Sequence, residues 1–287
     1  MHLSLIVCTR DRRDRIGATL GALARLAGAR PWELVVVDNG SRDGTAELLR
    51  DFAAAAPFPV TIASEPAPGL GRARNAGVAA ARGALLAFTD DDCYPAADFV
   101  ESWCDVFDDP GVGYGGGRIL LHDPLDFPIT VRTETAPIPL APGAFVDPGL
   151  VQGANMAFRR EVVVALGGFD PRLGPGTPFV SDDVDLAARA SAAGVRGGYF
   201  PGPVVRHHHR RRAPDEVEAL RRTYDRGRGA YFAKLLLRPD TRALALRHWY
   251  WRARLTPKAA VGREVVGAAH YLARRLVDGR ASREDAR

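Results

Sequence analysis

The stretch Leu85-Leu86-Ala87-Phe88-Thr89-Asp90-Asp91-Asp92 decides how this chain is read. A short apolar run ends abruptly in three carboxylates, the pattern of a strand buried on both faces that delivers a polar site at its C-terminal end. Two earlier runs, Leu3–Cys8 (LSLIVC) and Leu34–Asp38 (LVVVD), have the same character and also end in polar residues, Thr9-Arg10-Asp11 and Asp38-Asn39-Gly40-Ser41. Helical patterns near Arg13–Ala27, Thr45–Ala55 and Gly71–Ala81 separate them, so strand and helix alternate as an open, mostly parallel α/β sheet requires. Right-handed crossovers then gather the strand C-termini along one edge, where such sheets bind their ligands.

Downstream, residues 122–153 are rich in proline and lack periodicity, which predicts a long loop region or irregular strands. Asn155–Arg159 reads as a strand, Arg160–Leu166 as a short helix, and Gly167–Pro178 as a glycine- and proline-rich loop suited to act as a lid. Ser181 is the expected N-cap of a helix through Ala193, with Gly194 in the left-handed position just past its end. Beyond Pro214 the pattern is helical and arginine-rich.

At 287 residues, 46% apolar and 25% charged, the chain suits one large globular domain with an appendage rather than a disordered or fibrous protein. Its three cysteines show no C-x-x-C spacing, so neither a disulfide framework nor a thiolate zinc site is indicated, and a reducing cytoplasm is expected. No apolar run reaches the roughly 18 residues of a spanning helix, and MHLSLIVCTR reads as a strand rather than a signal peptide. A soluble protein, at most peripheral on the inner face of a membrane, is therefore expected. From Arg206 onward 21 Lys and Arg face 9 Asp and Glu, whereas residues 1–205 hold 18 against 25. The basic end suits a polyanion and the acidic part suits cations.

Asp90, Asp91 and Asp92 repel one another and need a compensating cation or arginine partners. Oxygen ligands at this density suit Mg2+ or Mn2+ shared with substrate phosphates, and the bland alternative is a solvated acidic turn. Asp38 is placed to accept hydrogen bonds from a base or ribose, while Ser41, Asp43 or Thr45 are candidate caps for the next helix; the plain reading is a well-made βα turn. Gly69–Gly77 fails the G-x-G-x-x-G pattern because Arg74 stands where a glycine is needed, and Arg72 and Arg74 offer guanidinium forks to a diphosphate instead. No G-x-x-x-x-G-K-[ST] stretch occurs, which excludes a P-loop kinase or ATPase. Asp182 and Asp183 open the helix after the glycine-rich loop, where the helix dipole keeps a candidate general base ionised. In the run His207-His208-His209, His207 and His209 share one face of an extended segment, so one imidazole is positioned to complete a metal site; a basic solvent loop is the alternative.

Together these motifs resemble the family-2 glycosyltransferases of GT-A fold: VCTRDR, VVVDNGSRDGT, the Gly71–Gly77 stretch with its Ala73-Arg74-Asn75-x-Gly77, LLAFTDDDC, GANMAFRR with GGFDPRLG, SDDVDLAARA and VVRHHH, in order across residues 3–209. The resemblance implies a GT-A catalytic domain over 1–212, with a nucleotide-binding part to about 117 and an acceptor-binding part after it, followed by a basic helical extension over 213–287. It also implies a nucleotide-diphosphate sugar donor and transfer with inversion. On the matching positions, Thr9 and Arg10 would lie beside the nucleotide, Asp38 would recognise the base, and Arg74 with Asn75 would approach ribose and diphosphate. Asp90 and Asp91 would face the nucleotide and Asp92 the Mg2+ or Mn2+ ion, joined by His207 or His209. Asp183 would be the base, with Asp182, one methylene shorter than the family's glutamate, as its acceptor-side helper.

The resemblance leaves the acceptor open among small molecules, lipid-linked saccharides and polysaccharides, and implies no nucleic acid. Arginine-rich helices after Pro214, carrying Trp249-Tyr250-Trp251, either pack on the catalytic domain or a second copy, the commoner fate, or lie on an anionic membrane. A sugar-phosphate nucleotidyltransferase is the rival enzyme, but such enzymes carry a glycine-rich loop near the start, and Thr9–Arg13 has no glycine. A non-catalytic nucleotide-sugar or polyanion binder is the rival without chemistry.

Overall fold

A computed structural model describes the backbone of residues 1–284 and side chains through Val277. The apolar runs form β1 (Leu3–Thr9), β2 (Trp32–Asp38) and β4 (Leu85–Asp90), with β3 (Val60–Ser64) outside β2, and their pairings with one another are all parallel. Helices α1 (Ile16–Leu23), α2 (Thr45–Ala55) and α3 (Leu70–Ala80) make the crossovers. Register brings the polar ends together, with Thr9 beside Asp38 and Cys8 beside Asp90. Alternate strand residues feed two cores: Leu3, Leu5 and Val7 point to one face and Ile6 to the other.

The second half follows in the order β5 (Cys93–Pro95), α4 (Phe99–Phe107), β6 (Val112–Leu121), β7 (Ile138–Leu140), β8 (Met156–Arg159), α5 (Arg160–Ala165), α6 (Asp182–Ala192) and β9 (Arg196–His207). The spatial order is β3-β2-β1-β4-β8-β6-β9-β5, with β7 on β9. The long ladders are parallel, while β8 runs antiparallel between β4 and β6. Residues 122–153 are largely irregular, as expected, with β7 as their short strand.

Three local expectations are corrected. Helix α1 starts at Ile16 instead of near Arg13, because the amides of Asp11, Arg12 and Arg13 are held by Ser41 Oγ, Thr45 Oγ1 and Asp43 Oδ2, each at 3.0 Å. Those three side chains therefore stitch two loops together, and the N-cap of α2 is Gly44 in a left-handed conformation. Ser181 does precede α6, but its backbone is left-handed (φ 104°) and its hydroxyl makes no cap bond; the Val184 amide donates to Asp183 Oδ1 at 2.7 Å instead. Gly194 ends α6 as read, at φ 86°.

Three helices complete the chain: α7 (Pro214–Leu236), α8 (Arg242–Leu255) and α9 (Lys258–Glu284). Tyr231, Phe232 and Leu235 of α7 enter the core on the face of the sheet that also holds Ile6 and Phe88. Lys234 is buried and bridges Asp170 and Asp185, 2.7 Å from each, so the loop before α6, α6 itself and α7 share one ion network. No helix among the described residues is long and apolar enough to cross a membrane.

Candidate active site

The acidic turn between β4 and β5 is held from three sides. Thr9, buried at the end of β1, donates from Oγ1 to Asp91 Oδ2 at 2.7 Å, and Arg12 Nε lies 3.5 Å from the same oxygen. Burial pushes the Asp91 carboxyl up to about 6, with the Thr9 hydrogen bond opposing it. Asp90 is likewise raised by burial despite Arg74, whose Nη2 lies 3.4 Å away. Asp92 goes the other way: burial would raise it, yet the His207 hydrogen bond holds it below its usual value.

His207 reaches Asp92 through strand pairing, because β5 runs antiparallel to the end of β9 and sets Cys93 opposite His207. Its Nε2 lies 3.3 Å from Asp92 Oδ1, while Nδ1 lies 3.1 Å from Thr130 Oγ1 and 3.3 Å from the Thr130 carbonyl. Such a contact on one ring nitrogen sets the tautomer and aims the other at a metal. Thr130 holds a left-handed backbone (φ 51°), unusual for a β-branched residue and characteristic of functional sites. The Asp92, Cys93 and His207 ligand atoms lie within 4.8 Å of one another. Burial pushes the Cys93 thiol up, so it stays protonated, leaving one carboxylate oxygen and one imidazole nitrogen. That pair, completed by phosphate oxygens, fits Mn2+ or Mg2+.

The structure separates the two histidines left open by the sequence. His209 accepts the Arg211 amide on Nδ1 at 3.0 Å and places Nε2 3.0 Å from the Phe127 carbonyl, so no ring nitrogen is left for a cation. His209 pins the irregular segment under the strand end.

Across the cavity, Asp183 opens α6. Its Oδ2 accepts the Gly153 amide at 2.8 Å and its Oδ1 the amide of Val184. Burial first, and the neighbouring Asp182 second, push its carboxyl up to about 6. Asp182 is buried and paired through Oδ2 with the Arg74 guanidinium. Arg74 thus clamps the β4 carboxylate Asp90 to the residue before Asp183, and Gly153 leaves it room: a Cβ there would lie 2.1 Å from Nη2.

The remaining candidates are more scattered. Asp38 Oδ1 accepts the Ser41 amide of its own turn at 3.0 Å, and Arg10 is exposed with Asp11 3.5 Å away. Asn75 bonds through both its amide nitrogen and its amide oxygen to the backbone of Phe169, at 2.9 and 2.8 Å, and so anchors the glycine-rich loop.

A cavity of about 430 Å³ gathers Arg74, Asp90, His207, Asp182 and Asp183. Tyr224 and Arg228 of α7 also line it, as does Thr130, and the sequence reading missed all three. Nothing local marks them: Thr130 sits in an aperiodic stretch, and the α7 residues lie in a segment read as an appendage.

The fold and this edge define a GT-A type α/β glycosyltransferase architecture. Among solved structures, the mannosyltransferase PcManGT from Pyrobaculum calidifontis, in complex with GDP-Man and Mn2+, superposes with a TM-score of 0.68 at 24% identity, over 98% of this chain and 79% of that one. TarS from S. aureus in complex with UDP-GlcNAc gives 0.64 at 16% identity, over 85% and 69%. Residues 4–164 match the family model described as glycosyl transferase family 2, and residues 86–258 that of glycosyl transferase family group 2; the chain belongs to glycosyl transferase family 2. Similar curated proteins include the glycosyltransferase AglE of Haloferax volcanii, 28% identical over 193 residues, and the pre-mycofactocin glycosyltransferase of Mycobacterium tuberculosis, 30% identical over 199. The matches span 67% and 64% of this chain, and 62% and 39% of the lengths of those two relatives.

Proposed function

We propose that this chain transfers a sugar, with inversion, from a nucleotide-diphosphate donor to an acceptor nucleophile, using Mg2+ or Mn2+ at Asp92 and His207 and Asp183 as general base. One observation carries the reading: Asp90, His207 and Asp183, from three separate parts of the chain, line one cavity. Fold relatives bound to GDP-Man with Mn2+ and to UDP-GlcNAc support the donor class.

Asp92 and His207 would hold the cation, which when bound supplies Lewis-acid stabilisation of the leaving diphosphate. Thr9, Arg10, Asp38, Asp90 and Asp91 would line the nucleotide side, since all five sit at or beside the C-terminal ends of β1, β2 and β4. Asp183 would take the acceptor proton as the nucleophile attacks the face away from the leaving group, which inverts the anomeric carbon. A carboxyl raised to about 6 by burial and Asp182 suits that task near neutral pH, because it is ionised yet more basic than a solvated aspartate. The Gly153 and Val184 amides orient it, and Asp182 with Arg74 fixes its helix against the acidic turn.

The test is a donor panel with Mn2+ and candidate acceptors, read as nucleoside diphosphate release. Acceptor-dependent release that stops on chelation and resumes with Mn2+ is the expected result. Binding without release from any donor, or release indifferent to chelation, would overturn the assignment.

A further inference from the structure

Among the described residues, nine of the thirteen exposed large apolar side chains lie on two helices, α8 and α9. On α8 they form two adjacent rows at four-residue spacing, Leu246-Tyr250-Arg254 and Arg247-Trp251-Leu255, and Leu255 is 84% exposed. The Arg254 guanidinium lies over both rings, 4.8 Å from the Tyr250 centroid and 6.0 Å from that of Trp251. The opposite face of α8 is packed, with Ala245 buried and Trp249 stacked on Phe232 at 5.2 Å. Helix α9 repeats the division: Glu264, Ala268 and Tyr271 are buried, while Val265, Leu272 and Leu276 face outward.

Charge distinguishes what this surface meets. Both helices belong to the segment with 21 Lys and Arg against 9 Asp and Glu, and Arg247, Lys258, Arg274 and Arg275 are exposed with no ion-pair partner among the described residues. A second copy pressed onto this face would bring two cationic surfaces together. Anionic lipid headgroups would neutralise them, while the aromatic rings sit at the headgroup level, where an apolar body with a polar edge is favoured. The acidic residues 1–205 would be repelled by the same membrane, which sets the molecule with its C-terminal helices down.

We propose that the outward faces of α8 and α9 dock this protein onto an anionic bilayer surface. The docking does not depend on the proposed chemistry. It does bear on it, because Trp251 and Leu255 also line a groove of about 390 Å³ whose wall residue Pro148 is shared with the catalytic cavity. A bilayer against α8 would therefore lie beside the rim of that cavity.

Flotation of the full chain with vesicles of phosphatidylcholine containing about one-third phosphatidylglycerol tests this directly. The protein is expected to float with these vesicles and not with pure phosphatidylcholine, and the bound fraction should fall roughly tenfold when salt is raised to about 0.5 M. The triple variant Tyr250→Ser, Trp251→Ser, Leu255→Ser should lose flotation with an unchanged melting temperature, since all three side chains are exposed. Arg247→Gln with Arg254→Gln should also weaken it. Absence of flotation at low salt overturns the proposal, as does binding indifferent to these variants. A dimer by light scattering that dissociates in the triple variant, without vesicle binding, would assign the surface to a second copy instead.

Discussion

Asp92 and His207 meet only because β5 and β9 pair, and they give the sharpest single-residue expectations. In Asp92→Asn the Mn2+-dependent stabilisation by nucleoside diphosphate should vanish, read as the loss of a metal-dependent thermal shift. His207→Ala should weaken Mn2+ affinity, whereas His209→Ala should lower the melting temperature while leaving Mn2+ affinity near wild type, because both ring nitrogens of His209 meet backbone groups of Phe127 and Arg211. Equal Mn2+ affinity in all three variants would contradict the assignment. Asp183→Asn should keep donor binding and lose turnover by roughly 10²–10⁴-fold, the usual worth of an acid–base group. Its raised carboxyl also fixes the sign of the pH dependence: below about 6 the base is protonated and turnover falls, and above it the rate levels off. A rate that rises on acidification through that range would remove Asp183 from the role. At this scale the acidic turn and the aspartates of α6 were legible, since charge clusters at a strand end and a helix start stand out locally. The different settings of His207 and His209, and the engagement of Asp182 by Arg74 and of Asn75 by Phe169, were not, because each depends on a partner far along the chain.

Helices α7 and α9 approach closely through glycines. A Cβ at Gly229 would lie 1.8 Å from the Glu264 carbonyl oxygen, and one at Gly267 would lie 2.1 Å from that of Arg226. In an exposed helix Gly→Ala stabilises by up to about 1 kcal/mol. Here the sign should invert, with Gly229→Ala destabilising by roughly 1–3 kcal/mol through overpacking. An increase in the urea midpoint would contradict the packing. Lys234→Met should destabilise by roughly 1–3 kcal/mol by chemical denaturation, because it removes the cation that joins two buried carboxylates, Asp170 and Asp185, which then keep only Arg172 and Arg189 as cationic partners among the described residues. Burial would raise Asp170, but the Arg172 hydrogen bonds and Lys234 hold it well below the ordinary value, so it contributes stability that is lost as pH falls. A Lys234→Met protein as stable as wild type would show that α7 is not tied to the loop before α6. Elements with a continuous apolar run or a clear helical period were legible: β1, β2, β4, α2 and α3 fall within a residue or two of their expected bounds. Strand β6 was not, because Gly115, Gly116 and Gly117 interrupt its pattern. A Cβ at Gly116 would lie 2.5 Å from the Leu150 carbonyl oxygen, so the strand needs these glycines for close approach.

At the scale of the molecule, the parallel character of the first half of the sheet followed from local pattern, with α1 and α2 joining adjacent strands, while α3 carries the chain back past β2 so that β4 pairs with β1. The second half did not: β6 pairs with β9 and β8 lies between β4 and β6, contacts that no local window contains. The same limit hid the part played by the basic C-terminal segment, whose helix α7 brings Tyr224 and Arg228 to the cavity. The charge division along the chain was legible, and the exposed faces of α8 and α9 give it a location. The proposal that unites the scales is a cation at the end of β4 working on one donor together with a carboxylate at the start of α6. Manganese anomalous diffraction from crystals soaked with Mn2+ and a nucleoside diphosphate tests this most directly. A single manganese peak contacting Asp92 and His207, with the diphosphate in the cavity facing Asp183, is the result expected. Manganese bound elsewhere, or a diphosphate seated outside the cavity that holds Asp183, would contradict the account.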